Sequence, residues 1–177
     1  MTMRPHEGTV LGVAIALPEP YAGELQAARE RFGDPEAKTV PTHVTLLPPT
    51  TVDTVLVPEI RTHLATVAAQ AVPFRMRLRG AGTFRPVSPV VFVTVAEGIG
   101  GCERLERAVR SEVLARPVEY PYHPHVTVAH DLPDEVLDRA IDDLTAYQAD
   151  FVVDSFVLFE HADGRWEPDR TFGFAGT

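Results

Sequence analysis

The tripeptide His-Val-Thr occurs twice in this chain, at residues 43–45 in "VPTHVTLLPP" and at 125–127 in "YPYHPHVTVAHD". Each copy opens a run of β-forming residues, has a proline just upstream (Pro41, Pro124), and leads through a proline-containing loop into an amphipathic helical pattern. Side chains alternate along a strand, so His43 shares a face with Thr45, and His125 with Thr127, while Val44 and Val126 point to the core. The chain must therefore accommodate one strand–loop–helix unit twice. Two such units support two facing lobes, although the echo fades beyond the tripeptide.

The rest of the chain fits this reading. The apolar run over residues 9–18 predicts a buried strand closed by Pro18. "YAGELQAARERFG" predicts a helix with Leu25, Ala28 and Phe32 on one stripe and Gly33 as its stop. The first His-Val-Thr strand is expected to end at Pro48 and Pro49, before a helix with Pro58 in its first turn. "FRMRLRGAGTF" alternates strictly, with Phe74, Met76 and Leu78 inward and Arg75, Arg77 and Arg79 outward. Its antiparallel partner is "VVFVTVAEG", followed by the helix "CERLERAVRSEVL". After the second His-Val-Thr strand come the helix "PDEVLDRAIDDLTAY" and a closing hairpin within residues 150–174, turning at Asp163 and Gly164. The expected class is α+β with mainly antiparallel pairing, in one domain over residues 1–177.

Composition narrows the function. A net charge of −9 argues against an extended nucleic-acid surface, so any such contact is local. The single Cys102 forms no intramolecular disulfide or cysteine-rich zinc site and suits a reducing compartment, which points to a cytoplasmic protein. No apolar segment reads as a signal or a membrane span. At a helix start, Cys102 reads most simply as a small buried hydrophobe.

Two imidazoles and two hydroxyls across a cleft suit a phosphodiester. One neutral imidazole can take a proton from water while a protonated one delivers a proton to the departing sugar oxygen. The threonine hydroxyls can donate to the non-bridging oxygens as charge builds there, and no metal is required. For this composition about 0.6 His-x-Thr triplets would arise by chance, so the shared context carries the signal rather than the triplets alone.

In that context the chain resembles the 2H phosphoesterase superfamily, in its 2'-5' RNA ligase-like, cyclic phosphodiesterase group. "THVTLL" and "PHVTVA" match the group's paired His-x-Thr motifs, which lie about eighty residues apart, and "FRMRLRGAGTFRPVSPVVFVTV" resembles its middle strands and Gly-x-Phe turn. The resemblance covers nearly the whole chain. It implies a bilobal fold with a pseudo-twofold axis, two mainly antiparallel sheets and helices packed outside a central cleft. It also implies that His43 and His125 are acid and base, that Thr45 and Thr127 hold the phosphate, and that the reaction is hydrolysis of 2',3'-cyclic phosphates. Many members have a basic residue soon after the second motif, where this chain has His130, Asp131, Asp134 and Glu135. That turns the expectation from long RNA toward a small cyclic nucleotide or an RNA terminus, bound by a monomer without cofactor.

Other residues carry weaker expectations. Arg85 is the preferred further cation for the cleft, ahead of Arg75, Arg77 and Arg79, which read as a solvated strand face. Phe84, Tyr120 and Tyr122 could stack on a base, with Phe84 and Tyr122 retained as substrate contacts. His123 and His130 could join His125 around a metal, but no ligand spacing completes that set, and no metal site is expected. The alternatives to a metal-independent phosphodiesterase are a non-catalytic nucleotide- or RNA-end-binding module, an RNA 2'-5' ligase, and a histidine-ligated metallohydrolase.

Overall fold

The computed structural model describes residues 7–176, which form eight strands and four α-helices. In chain order these are β1 (Gly8–Ala16), α1 (Tyr21–Phe32), β2 (His43–Asp53), α2 (Val57–Gln70), β3 (Phe74–Thr83) and β4 (Val90–Glu97). They continue as α3 (Ile99–Val109), β5 (His125–His130), α4 (Asp134–Leu144), β6 (Gln148–Val153), β7 (Ser155–Ala162) and β8 (Arg165–Gly173). The strands make two four-stranded antiparallel sheets, ordered β2-β1-β7-β8 and β5-β4-β3-β6.

The order explains the repeated tripeptide. Each copy lies on the edge strand of its own sheet, and the two edges meet, so β2 touches β5. The helices cross over in matched fashion: α1, which precedes β2, packs against β5, and α3, which precedes β5, packs against β2. The fold is thus α+β, with two related halves. A single hydrophobic cluster runs through both, from Leu11 and Val13 to Val126 and Val128. Each such aliphatic side chain contributes about 1.5–3 kcal/mol when fully buried.

Local signals mostly act as their chemistry dictates. Gly33 ends α1 in the left-handed region, at φ 79°, where a side chain would be strained. In β3, Met76 and Leu78 are buried while Arg75, Arg77 and Arg79 are exposed. The basic face is offset by acids on neighbouring strands. Arg75 and Arg77 both pair with Asp150 of β6, and Arg77 also reaches Glu97 of β4. Arg75 holds the Asp150 carboxyl down at about 2. Cys102 is buried in α3, and burial pushes its thiol up to about 12.

Three expectations need correction. Pro48 and Pro49 do not end β2, which continues to Asp53. Leu47 pairs with Val13 and Thr50 with Leu11, so the two prolines bulge out opposite Gly12 on an edge strand, where no ladder hydrogen bond is demanded of them. The apolar run before the closing turn is not one strand. It breaks at Asp154, with β6 pairing to β3 in one sheet and β7 to β1 in the other, while the turn at Asp163 and Gly164 joins β7 to β8 as expected. Finally, Phe32 is only partly buried, and the third buried residue of α1 is Arg29.

Candidate active site

Between the two edge strands lies a cleft of about 440 Å³, and all four motif residues, His43, Thr45, His125 and Thr127, line it. Alternation on β2 and β5 puts them there. Val44, Leu46, Val126 and Val128 are fully buried on the opposite faces, so neither strand can slip by one residue without exposing its apolar set.

The two histidines are held in the same way. Nδ1 of His43 lies 2.5 Å from the Pro41 carbonyl, and Nδ1 of His125 lies 2.7 Å from the His123 carbonyl. A carbonyl only accepts, so Nδ1 carries the proton in both rings and Nε2 is the atom left to gain or lose one. His43 Nε2 is 3.2 Å from Thr45 Oγ1. Burial lowers the pKa of both imidazoles. For His43 the carbonyl bond and Glu36 oppose burial while the charge of Arg29 adds to it. For His125 the carbonyl bond opposes burial, and the charges of His123 and His43 add to it. The charge of His43 thus reaches His125 across the cleft and adds to the lowering there.

The other anticipated residues take different places. Phe84 lines the cleft and sets its ring perpendicular to His125, with centroids 4.9 Å apart. Arg85 and Tyr122 are absent from the cleft wall. The guanidinium of Arg85 donates to Asp134 at 3.2 Å and Asp138 at 2.7 Å, at the start of α4, which draws it away. Tyr122 packs partly buried against the hydrophobic core, and its hydroxyl donates to the Thr45 carbonyl at 2.8 Å and so ties the approach to β5 to β2. Tyr120 is exposed. Among the described residues no three His, Cys, Asp or Glu side chains converge as a metal-ligand set, so His123, His125 and His130 do not form one.

Several wall residues were not anticipated. His130 does line the cleft, 3.4 Å from Asp131 and 3.8 Å from Glu36. Arg29 also lines it, from a buried ion pair: Nε bonds Asp34 at 3.1 Å and Nη1 bonds the Val40 carbonyl at 2.9 Å. Its position was visible in the sequence as an arginine one turn past Leu25 on the buried stripe of α1. Phe159 and Trp166 complete the far wall from β7 and β8. No local pattern marks them, because the cleft forms only once β7 is paired with β1.

Fold and cleft together describe a two-histidine phosphoesterase type, and comparison with known proteins agrees. The profile of the 2'-5' RNA ligase superfamily matches residues 17–165, and the chain belongs to that family. A protein of Geobacillus sp. (strain WCH70), named provisionally as a phosphoesterase, is 30% identical over 168 residues, covering 93% of this chain and 96% of the relative. Among solved structures, E. coli LigT in its apo form is 25% identical with a TM-score of 0.65, covering 95% of this chain and 98% of LigT. LigT complexed with 3'-AMP aligns with a TM-score of 0.62 at 22% identity, covering 95% of this chain and 99% of that one.

Proposed function

We propose that this protein is a metal-independent phosphodiesterase that opens 2',3'-cyclic phosphates of nucleotides or RNA ends. The observation that carries the reading is the matched pair of imidazoles, each anchored through Nδ1 and each lining one cleft beside a threonine. LigT has been crystallised with 3'-AMP and with ATP, which supports a nucleotide as the ligand class.

In the reaction, Nε2 of one neutral histidine takes a proton from water as the water oxygen bonds to phosphorus. The bond from phosphorus to one ribose oxygen breaks, and Nε2–H of the other, protonated histidine supplies that oxygen with a proton. The product is a phosphomonoester with a free ribose hydroxyl, and the two rings have exchanged protonation states. Thr45 and Thr127 donate to the non-bridging oxygens. The related placement of the histidines lets either serve as acid, and the bound orientation of the ribose decides.

The direct test is incubation of the purified protein with nucleoside 2',3'-cyclic monophosphates in excess EDTA. A nucleoside monophosphate is expected, and its absence would overturn the reading.

The lowered histidine pKa values give a second expected result. The working form holds one proton between two imidazoles, and in the free protein both steps of that titration fall below the ordinary value of 6.5. The profile of kcat/KM should therefore be a bell with its optimum below pH 6.5. The substrate anion favours an imidazolium, so the kcat profile should peak at higher pH. A kcat/KM plateau that persists through pH 8 would contradict this assignment.

A further inference from the structure

A phosphodiester brings an anion into the cleft, yet the wall offers one permanent cation to meet it. Among the described residues Arg29 of α1 is the only lysine or arginine that lines the cleft. Arg85, expected there, is spent on Asp134 and Asp138. Burial also sets Arg29 apart. It is 2% exposed, and Asp34 is the only other charged residue among the described ones to be buried.

A buried arginine must use its donors, because unsolvated N–H groups on a cation are costly. The guanidinium carries five of them. Nε donates to Asp34 at 3.1 Å and Nη1 to the Val40 carbonyl at 2.9 Å, which fixes the plane of the group, while Nη2 makes no hydrogen bond with any described residue. No buried side-chain nitrogen among the described residues lacks a partner, so Nη2 is not sealed in protein and opens on the cleft that Arg29 lines. A structural brace requires the Nε and Nη1 bonds alone. It does not account for unspent donors on a desolvated cation facing a site that suits an anion. Asp34, which balances the charge from the Nε side, is absent from the wall, and the one carboxylate on the wall, Glu36, makes its ion contact with His130 at 3.8 Å. An entering anion therefore meets the guanidinium rather than its counter-ion. The group is also close to the chemistry: it holds the carbonyl of Val40, three residues before His43, and its charge acts on the His43 imidazole.

We propose that Arg29 is a further catalytic residue, whose Nη2 donates to a non-bridging oxygen of the phosphate seated between His43 and His125. This deepens the function proposed above and rests on it. As the water oxygen bonds to phosphorus, negative charge grows on the non-bridging oxygens, and a guanidinium fixed in advance by Asp34 and Val40 stabilises that charge without reorganising. No proton leaves the guanidinium. The histidines carry the proton exchange, and Arg29 supplies charge.

The variant Arg29→Met/Asp34→Leu removes the cation, keeps bulk and leaves no unpaired charge behind. With its fold confirmed by circular dichroism, kcat for a nucleoside 2',3'-cyclic phosphate should fall by about 10²- to 10³-fold, the usual cost of losing one preorganised donor. A folded variant with wild-type kcat would overturn the proposal.

Binding separates contact with the anion from bracing of the loop, and it needs no turnover. Calorimetric titration with a nucleoside 3'-monophosphate and with the unphosphorylated nucleoside gives a ratio of affinities that isolates the phosphate. The ratio should fall about tenfold or more in the double variant. It should hold or rise in Asp34→Asn, which weakens the brace but keeps the cation. An unchanged ratio in the double variant, or an equal fall in both variants, would overturn the contact even if hydrolysis is confirmed. A fall confined to the double variant would sustain it even if hydrolysis is not observed. A crystal structure of the wild type with a nucleoside 3'-monophosphate requires no variant to fold. Nη2 should stand about 2.7–2.9 Å from a phosphate oxygen, and a phosphate held between the histidines beyond its reach would overturn the assignment.

Discussion

His43→Ala and His125→Ala should each lower turnover of a 2',3'-cyclic phosphate by about 10²- to 10⁴-fold, the usual contribution of a positioned acid or base. The double variant should fall little further, because the two rings act in one concerted proton exchange and losing either disables it. The substitutions should spare the fold. Both side chains stand at the first position of an edge strand, only partly buried, and strand packing rests on Val44 and Val126 behind them. Single-turnover assays with circular dichroism would separate loss of chemistry from loss of structure. If both single variants keep wild-type turnover, the two imidazoles are not the acid and base. The assay also discriminates between them: a substrate with an activated leaving group should rescue the variant lacking the acid far more than the one lacking the base.

What could be read in the sequence follows from the range of the interactions involved. The placement of His43, Thr45, His125 and Thr127 needs only the period of two along a strand and a buried valine at the alternate position, both local facts. The stop at Gly33 and the alternation of β3 are local in the same sense. The switch of sheets at Asp154 is not, because "FVVDSFVLF" remains apolar on both sides of the break and only tertiary pairing decides that β6 joins β3 while β7 joins β1. That single crossing brings Phe159 and Trp166 to the cleft, so both were invisible. Arg85 illustrates the reverse case. Its position after the Gly-x-Phe turn aims it near the site, but a long side chain goes to its strongest partners, and Asp134 and Asp138 of α4 reach it from about fifty residues away. The prolines of β2 misled for a related reason: whether a proline breaks a strand depends on whether a neighbour requires its N–H, and on this edge none does.

Asp34→Ala should destabilise the protein by about 3–5 kcal/mol, the ordinary consequence of leaving one member of a buried ion pair without its partner. For a chain of this size that corresponds to a fall in Tm of roughly 6–20 °C. The side chains of Arg29 and Asp34 are only 3% and 0% exposed, so water cannot compensate the charge that remains. Asp34 also accepts from the Glu36 backbone N–H at 2.9 Å, and Arg29 donates to the Val40 carbonyl, so the pair braces the segment leading to Pro41 and His43. Activity at a temperature where the variant is still folded should therefore fall as well, through a looser hold on the His43 ring. Arg29→Ala should lose comparable stability, while Arg29→Met/Asp34→Leu, which removes both charges and keeps bulk, should recover much of it. The double-mutant cycle then yields a coupling of the same sign and of kcal/mol size. If Asp34→Ala melts within a degree or two of wild type, the pair contributes nothing to the fold, and the buried arginine is retained for the cleft that it lines.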